Sequence, residues 1–117
     1  MDIPRSAEAP YRIGFLLIDG FALFSYAAAV EPLRAANLLA GRTLYQVLEL
    51  PAEGAGATSS SGALIRASAH VGERVDFDLV LVIAGGDPTR FVSRRVTRWL
   101  RHLARRGVAL GGISGGP

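Results

Sequence analysis

The chain has 117 residues, half of them hydrophobic, with thirteen basic and ten acidic side chains and a formal net charge of +3. That length suits one small core, not two. The absence of cysteine excludes disulfides, thiolate nucleophiles and thiolate metal sites.

In chain order, "MDIPRSAEAP" (1–10) is a polar leader without the apolar core of a secretory signal. "YRIGFLLIDG" (11–20) is a near-continuous apolar run closed by Asp-Gly, the pattern of a strand covered on both faces. "FALFSYAAAVEPLRAANLLAG" (21–41) follows as a helix, with Leu33, Ala36 and Ala40 at helical spacing and Gly41 as its stop. Pro32 lacks an N–H, so the regular helix is expected to begin near it or bend there. "YQVLEL" (45–50) is a second strand. "PAEGAGATSSSG" (51–62) reads as a loop, and "ALIRASA" (63–69) as a short strand or hairpin arm. "DFDLVLVIAGG" (76–86) is the clearest strand. "DPTRFVSRRVTRWLRHLARRG" (87–107) is an amphipathic helix whose apolar face is Val92, Val96, Trp99 and Leu103. "VALGGI" (108–113) is a final buried strand leading into Ser114.

The order β-α-β-(β)-β-α-β predicts an α/β domain with an open, mostly parallel sheet and helices on both faces. In such sheets ligands bind beyond the carboxyl ends of the strands. Three of those ends carry glycine or polar punctuation: Asp19-Gly20, Gly85-Gly86-Asp87 and Gly112-Ile113-Ser114-Gly115. If the strands are parallel, all three meet on one edge.

Gly112 to Gly116 also spells G-x-S-x-G. Glycines around a serine suit the tight strand-to-helix turn of a nucleophile elbow, and equally a tight turn in which Ser114 caps the next helix. A serine hydroxyl needs a base to act as a nucleophile. The chain offers only His70, in a polar segment, and His102, on the polar side of the arginine-rich helix. The hydrolase order of serine, acid and histidine would place the base after Ser114, where three residues remain.

"FLLIDGFALFSYAAAVEPLRAANLL", "DFDLVLVIAGG" and "GVALGGISGGP", in this order and spacing, resemble the N-terminal glutamine amidotransferase-like domain of AraC-type transcriptional regulators. That domain is similar to the PfpI-type proteins, on a flavodoxin-like sheet. The resemblance covers residues 11–117 and implies a partial domain, with the sheet incomplete at its C-terminal end. In catalytic members a cysteine stands at the elbow, where this chain has Ser114. An acidic residue five positions after the first strand's glycine faces it, and counting from Gly20 gives Ser25. The N–H of Gly86 resembles the family's oxyanion-type donor. The resemblance thus implies a non-catalytic, cytoplasmic sensor of a small polar metabolite, with ligand-facing residues Ser25, Gly85, Gly86, Ser114 and Gly115, and with Glu31 and Asp19 as further candidates. It implies a homodimer, no cofactor, no metal and no membrane. DNA would be read only through a helix-turn-helix domain absent from this chain. The competing reading is a PfpI-type or isonitrile-hydratase-like hydrolase that uses Ser114 as its nucleophile.

Seven of the thirteen arginines lie between Arg90 and Arg106. Arg90, Arg94, Arg98, Arg101 and Arg105 recur every three or four residues opposite the apolar face. They read as a solvated helix face whose alkyl stems cover apolar surface.

Overall fold

The computed structural model describes residues 9–85 and 93–114, the side chain of Ser114 excepted. Its elements are β1 (Tyr11–Leu17), α1 (Leu23–Ala40), β2 (Tyr45–Pro51), β3 (Gly56–Thr58), β4 (Leu64–Arg66), β5 (Leu79–Ala84), α2 (Arg94–Arg105) and β6 (Ala109–Ser114). Four strands form one sheet in the order β2-β1-β5-β6. All three pairings are parallel, as the buried apolar runs predict. This is a flavodoxin-like α/β arrangement, in which the strand order reverses direction between β1 and β5.

The reversal sets the layers. The β1-to-β2 connection runs one way along the sheet and the β5-to-β6 connection the other. Right-handed crossovers therefore put α1 and α2 on opposite faces. The side chains follow. Ile13, Phe15, Leu17 and Ile83 pack with Tyr26, Val30 and Leu33 of α1. Leu16, Leu50 and Val80 pack with Val96, Trp99 and Leu103 of α2. The alternation along β1 divides its side chains between the two cores. Phe15, Leu16 and Leu17 are all fully buried, which is why the segment reads as one continuous apolar run.

Three expectations need correction. α1 begins at Leu23, so Pro32 lies in its interior and Glu31 is a mid-helix residue rather than one near a helix start. The proline is tolerated because it and Ala28, whose carbonyl loses its partner, are both exposed, leaving that oxygen to water. The stretch 51–62 is not all loop. Pro51 ends β2, opposite Leu17. Gly56–Thr58 forms β3, an antiparallel partner for β4, so 63–69 is a hairpin arm. In the second helix the described helical residues begin at Arg94, where the Ser93 hydroxyl accepts the Val96 N–H at 3.3 Å. Residues 86–92, including Val92 and Arg90, lie outside the described residues.

Candidate functional site

The carboxyl ends of β1, β5 and β6 do meet on one edge. Leu17 pairs with Ile83, and Ala84 with Ser114, so Ser114 ends its strand two strand spacings from the end of β1, roughly 10 Å. A ligand crevice is expected where the strand order of such a sheet reverses, which here is between β1 and β5.

Its wall is backbone. A Cβ on Gly85 would lie 2.6 Å from the Gly20 carbonyl oxygen and 3.0 Å from the Ala22 nitrogen. Only glycine lets β5 end this close to the turn after β1. That turn is also the start of α1. Ala22 occupies the N-cap position with no side-chain cap, and the first turn holds no acidic residue. The first-turn N–H groups therefore have no capping acceptor from that residue, at the positive end of the helix. Ser25 sits in this turn, half-buried. Thus Gly85 abuts the turn that leads into α1, Ser25 belongs to the first turn of that helix, and β6 ends at Ser114 on the same edge of the sheet, while Gly86 and Gly115 lie outside the described residues.

The two further candidates are already engaged. The Asp19 carboxylate accepts the Thr58 N–H at 2.9 Å. Around it, the Gly20 N–H donates to the Thr58 carbonyl at 2.8 Å and the Ser60 N–H to the Phe21 carbonyl at 2.8 Å. A parallel bridge joins Phe21 to Ser59. The β3-β4 hairpin is thereby fastened across the end of β1, a latch that was not read from the sequence. The serine run 59–61 was its signal. The Ser59 hydroxyl bonds that of Ser61 at 2.9 Å and accepts the Ala63 N–H at 3.0 Å, shaping the hairpin turn. Glu31 is exposed on α1 and pairs with Arg34 at 2.8 Å, an i,i+3 pair on the helix surface.

Neither histidine approaches Ser114. His102 lines a groove of about 950 Å³ together with Arg12, Gln46 and Trp99, beside the first residues of β1 and β2 and hence at the opposite end of the sheet. His70 is exposed and follows Ala69, whose N–H donates to the Glu49 carbonyl on β2. β2 lies three strands from β6, roughly 14 Å. Glu49 also accepts the Tyr26 hydroxyl at 2.9 Å. Burial, with this carboxylate alongside, pushes the Tyr26 phenol well above its usual range. This pair holds α1 to β2. Among the described residues no group of three His, Cys, Asp or Glu side chains could hold a metal.

No family model matches the chain. It is 49% identical over 106 residues to the HTH-type transcriptional regulator GlxA of Rhizobium meliloti, covering 90% of this chain and 33% of that protein. It is 40% identical over 114 residues to the HTH-type transcriptional regulator GbdR of Pseudomonas aeruginosa, covering 97% of this chain and 31% of that one. The chain thus spans about a third of the length of these relatives. Among solved structures, an AraC family transcriptional regulator from Pseudomonas putida superposes with a TM-score of 0.77 at 30% identity, over 88% of this chain and 64% of that one. A DJ-1 superfamily protein from Agrobacterium tumefaciens superposes with a TM-score of 0.67 at 17% identity, over 87% and 52%, and shares the fold. In sequence the chain is similar to about a third of the length of HTH-type transcriptional regulators, and in fold to an AraC family regulator and to a DJ-1 superfamily protein.

Proposed function

We propose that this chain is a sensing domain. It holds a small polar, carboxylate-bearing metabolite at the carboxyl edge of its sheet, and its occupancy sets the state of a helix-turn-helix regulator. It does not turn the metabolite over. The observation that carries this reading is the helix start at the strand-order reversal, where the first turn of α1 has no side-chain cap from Ala22 and lies against Gly85. Backbone N–H groups at a helix start favour an anionic group such as a carboxylate. Ser25 would add a hydroxyl to that turn, and Ser114, Gly86 and Gly115 are the other residues this reading assigns to the ligand.

The chemistry available favours binding over turnover. A serine hydroxyl stays protonated near neutrality unless a base takes its proton. Both histidines lie away from the end of β6. Ser25 stands where a catalytic relative would need an acid. The reading includes a cytoplasmic setting and a homodimer. No helix among the described residues is long and apolar enough to cross a membrane. The outer face of α1, with Phe24, Leu38 and Leu39 at 83%, 73% and 88% exposure, is the apolar surface that pairing of two copies would cover.

The test is a thermal-shift screen of the full-length protein against amino acids, betaines and related small carboxylates. A true ligand raises the melting temperature in a concentration-dependent way. Substituting Ser25→Leu, which replaces the hydroxyl in the first turn of α1 with a bulky apolar side chain, should abolish the shift. No stabilising ligand in the panel, or a catalytic turnover lost in Ser114→Ala, would overturn the reading.

A further inference from the structure

The charge on α2 is not explained by its packing. Residues 93–114 hold six arginines and no carboxylate, whereas residues 9–85 hold five arginines against seven carboxylates. Lysine is absent throughout, so the choice of arginine carries no information, but its placement does.

Val96, Trp99 and Leu103 bury the inner side of the helix. Arg95 reaches inward as well. Its Nη2 donates to the Ala52 carbonyl at 2.6 Å and its Nη1 to the Val71 carbonyl at 3.3 Å. The remaining five, Arg94, Arg98, Arg101, Arg105 and Arg106, are exposed and hold no ion pair among the described residues.

By itself this arrangement is unfavourable. Arg94 and Arg95 occupy the first turn, at the positive end of the helix dipole, and that turn holds no acidic residue. Arg94–Arg98 and Arg101–Arg105 are like-charge pairs at i,i+4, each destabilising to the helix. A merely solvated helix face interleaves the two signs, as Glu31 and Arg34 do on α1. A polyanion laid along α2 would relieve both penalties at once. Arg94 to Arg105 spans eleven residue steps, about 17 Å along the helix axis. That is the length of about five phosphate steps of one DNA strand.

We propose that the outer face of α2 is a contact surface for the phosphate backbone of duplex DNA, made without sequence preference by Arg94, Arg98, Arg101 and Arg105. The similarity to HTH-bearing regulators makes DNA the polyanion at hand. The metabolite reading is not required. The contact supplements a helix-turn-helix reader. It holds the sensing domain against the backbone beside the site that the reader occupies.

The experiment is a salt titration of the full-length protein on a random-sequence duplex, followed by fluorescence anisotropy. Each phosphate contact contributes about 0.9 to the slope of log affinity against log salt. The triple variant Arg98→Gln, Arg101→Gln, Arg105→Gln should lower the magnitude of that slope by about two to three. Arg34→Gln, which removes an arginine already paired on α1, should leave it unchanged. Trp99, the single tryptophan of this chain, lies on the buried face of α2, and an unchanged far-UV circular dichroism spectrum and melting temperature show that the variant has kept its fold. An equal slope in the triple variant and the wild type overturns the proposal. So does a triple variant that loses only its binding to anionic vesicles or to an acidic protein. Ligand-induced thermal shifts, measured on the same variant, report separately on the metabolite reading.

Discussion

α1 and α2 cover opposite faces of one sheet, yet their sequences are organised differently. α2 is short and sharply divided, with Val96, Trp99 and Leu103 buried and arginines outside. Trp99 meets Phe77 edge-on, at 6.2 Å between ring centroids. α1 is longer and has apolar residues on both its inner and outer sides, interrupted by the exposed Glu31–Arg34 pair, and no residue in it is buried. Beside the packing of Tyr26, Val30 and Leu33 on the sheet, polar bonds attach it. The Tyr26 hydroxyl bonds Glu49, and the Asn37 side chain bonds the start of β2. There its amide donates to the Tyr45 carbonyl at 2.8 Å, and its oxygen accepts the N–H groups of Leu44 and Tyr45 at 2.8 and 2.9 Å. A helix fixed by its own amphipathic pattern has a defined inner face whatever surrounds it. A helix with apolar residues on its inner and outer sides draws its stability from whatever lies on both.

The comparison can be broken by mutation. The largest effect is expected on the α2 side. Trp99→Ala should cost about 3–5 kcal/mol, because it empties the aromatic anchor of that core. Urea unfolding measures it, and a loss below about 1 kcal/mol would mean that α2 is not held by its seam. Next comes the junction where α1 starts. Gly85→Ala should destabilise by about 1–3 kcal/mol, since its Cβ meets rigid backbone at Gly20 and Ala22 rather than a side chain able to turn away. The same variant should weaken metabolite binding, and that loss would tie the crevice to function. The smallest effect concerns the Tyr26 tether. Its phenol is raised in the folded state, so it is neutral in both states below about pH 10. Above that the unfolded chain ionises first, and stability falls as pH rises towards the folded value. Comparing unfolding midpoints at about pH 8 and about pH 11 should show a shallower alkaline loss in Tyr26→Phe than in wild type.

The legible parts of the sequence were those governed by continuous burial or helical period. Leu79 to Ala84 announced a central strand, and Val96, Trp99 and Leu103 announced the seam of α2. The convergence of glycine-marked strand ends followed from parallel topology alone. Short-range signals misled where tertiary structure overrode them. Pro32 suggested a helix boundary because the sequence does not reveal that Ala28 would face water. The three-residue strands β3 and β4 are too short for an alternating pattern, and they are fixed by Asp19 and Phe21, some forty residues earlier. The reason for Gly85 was hidden too. A glycine pair after a strand reads as a turn, whereas this glycine is required by a carbonyl brought in from the end of β1.

The bonds from Asp19, Gly20 and Phe21 to Thr58–Ser60 bear on how the hairpin can move. The hairpin crosses the end of β1 on several bonds made together, so it cannot peel back one bond at a time without dragging the start of α1 with it. In deuterated solvent the amides of Gly20, Thr58 and Ser60 should therefore exchange as one slow group, set apart from the freely exposed tip near Gly62.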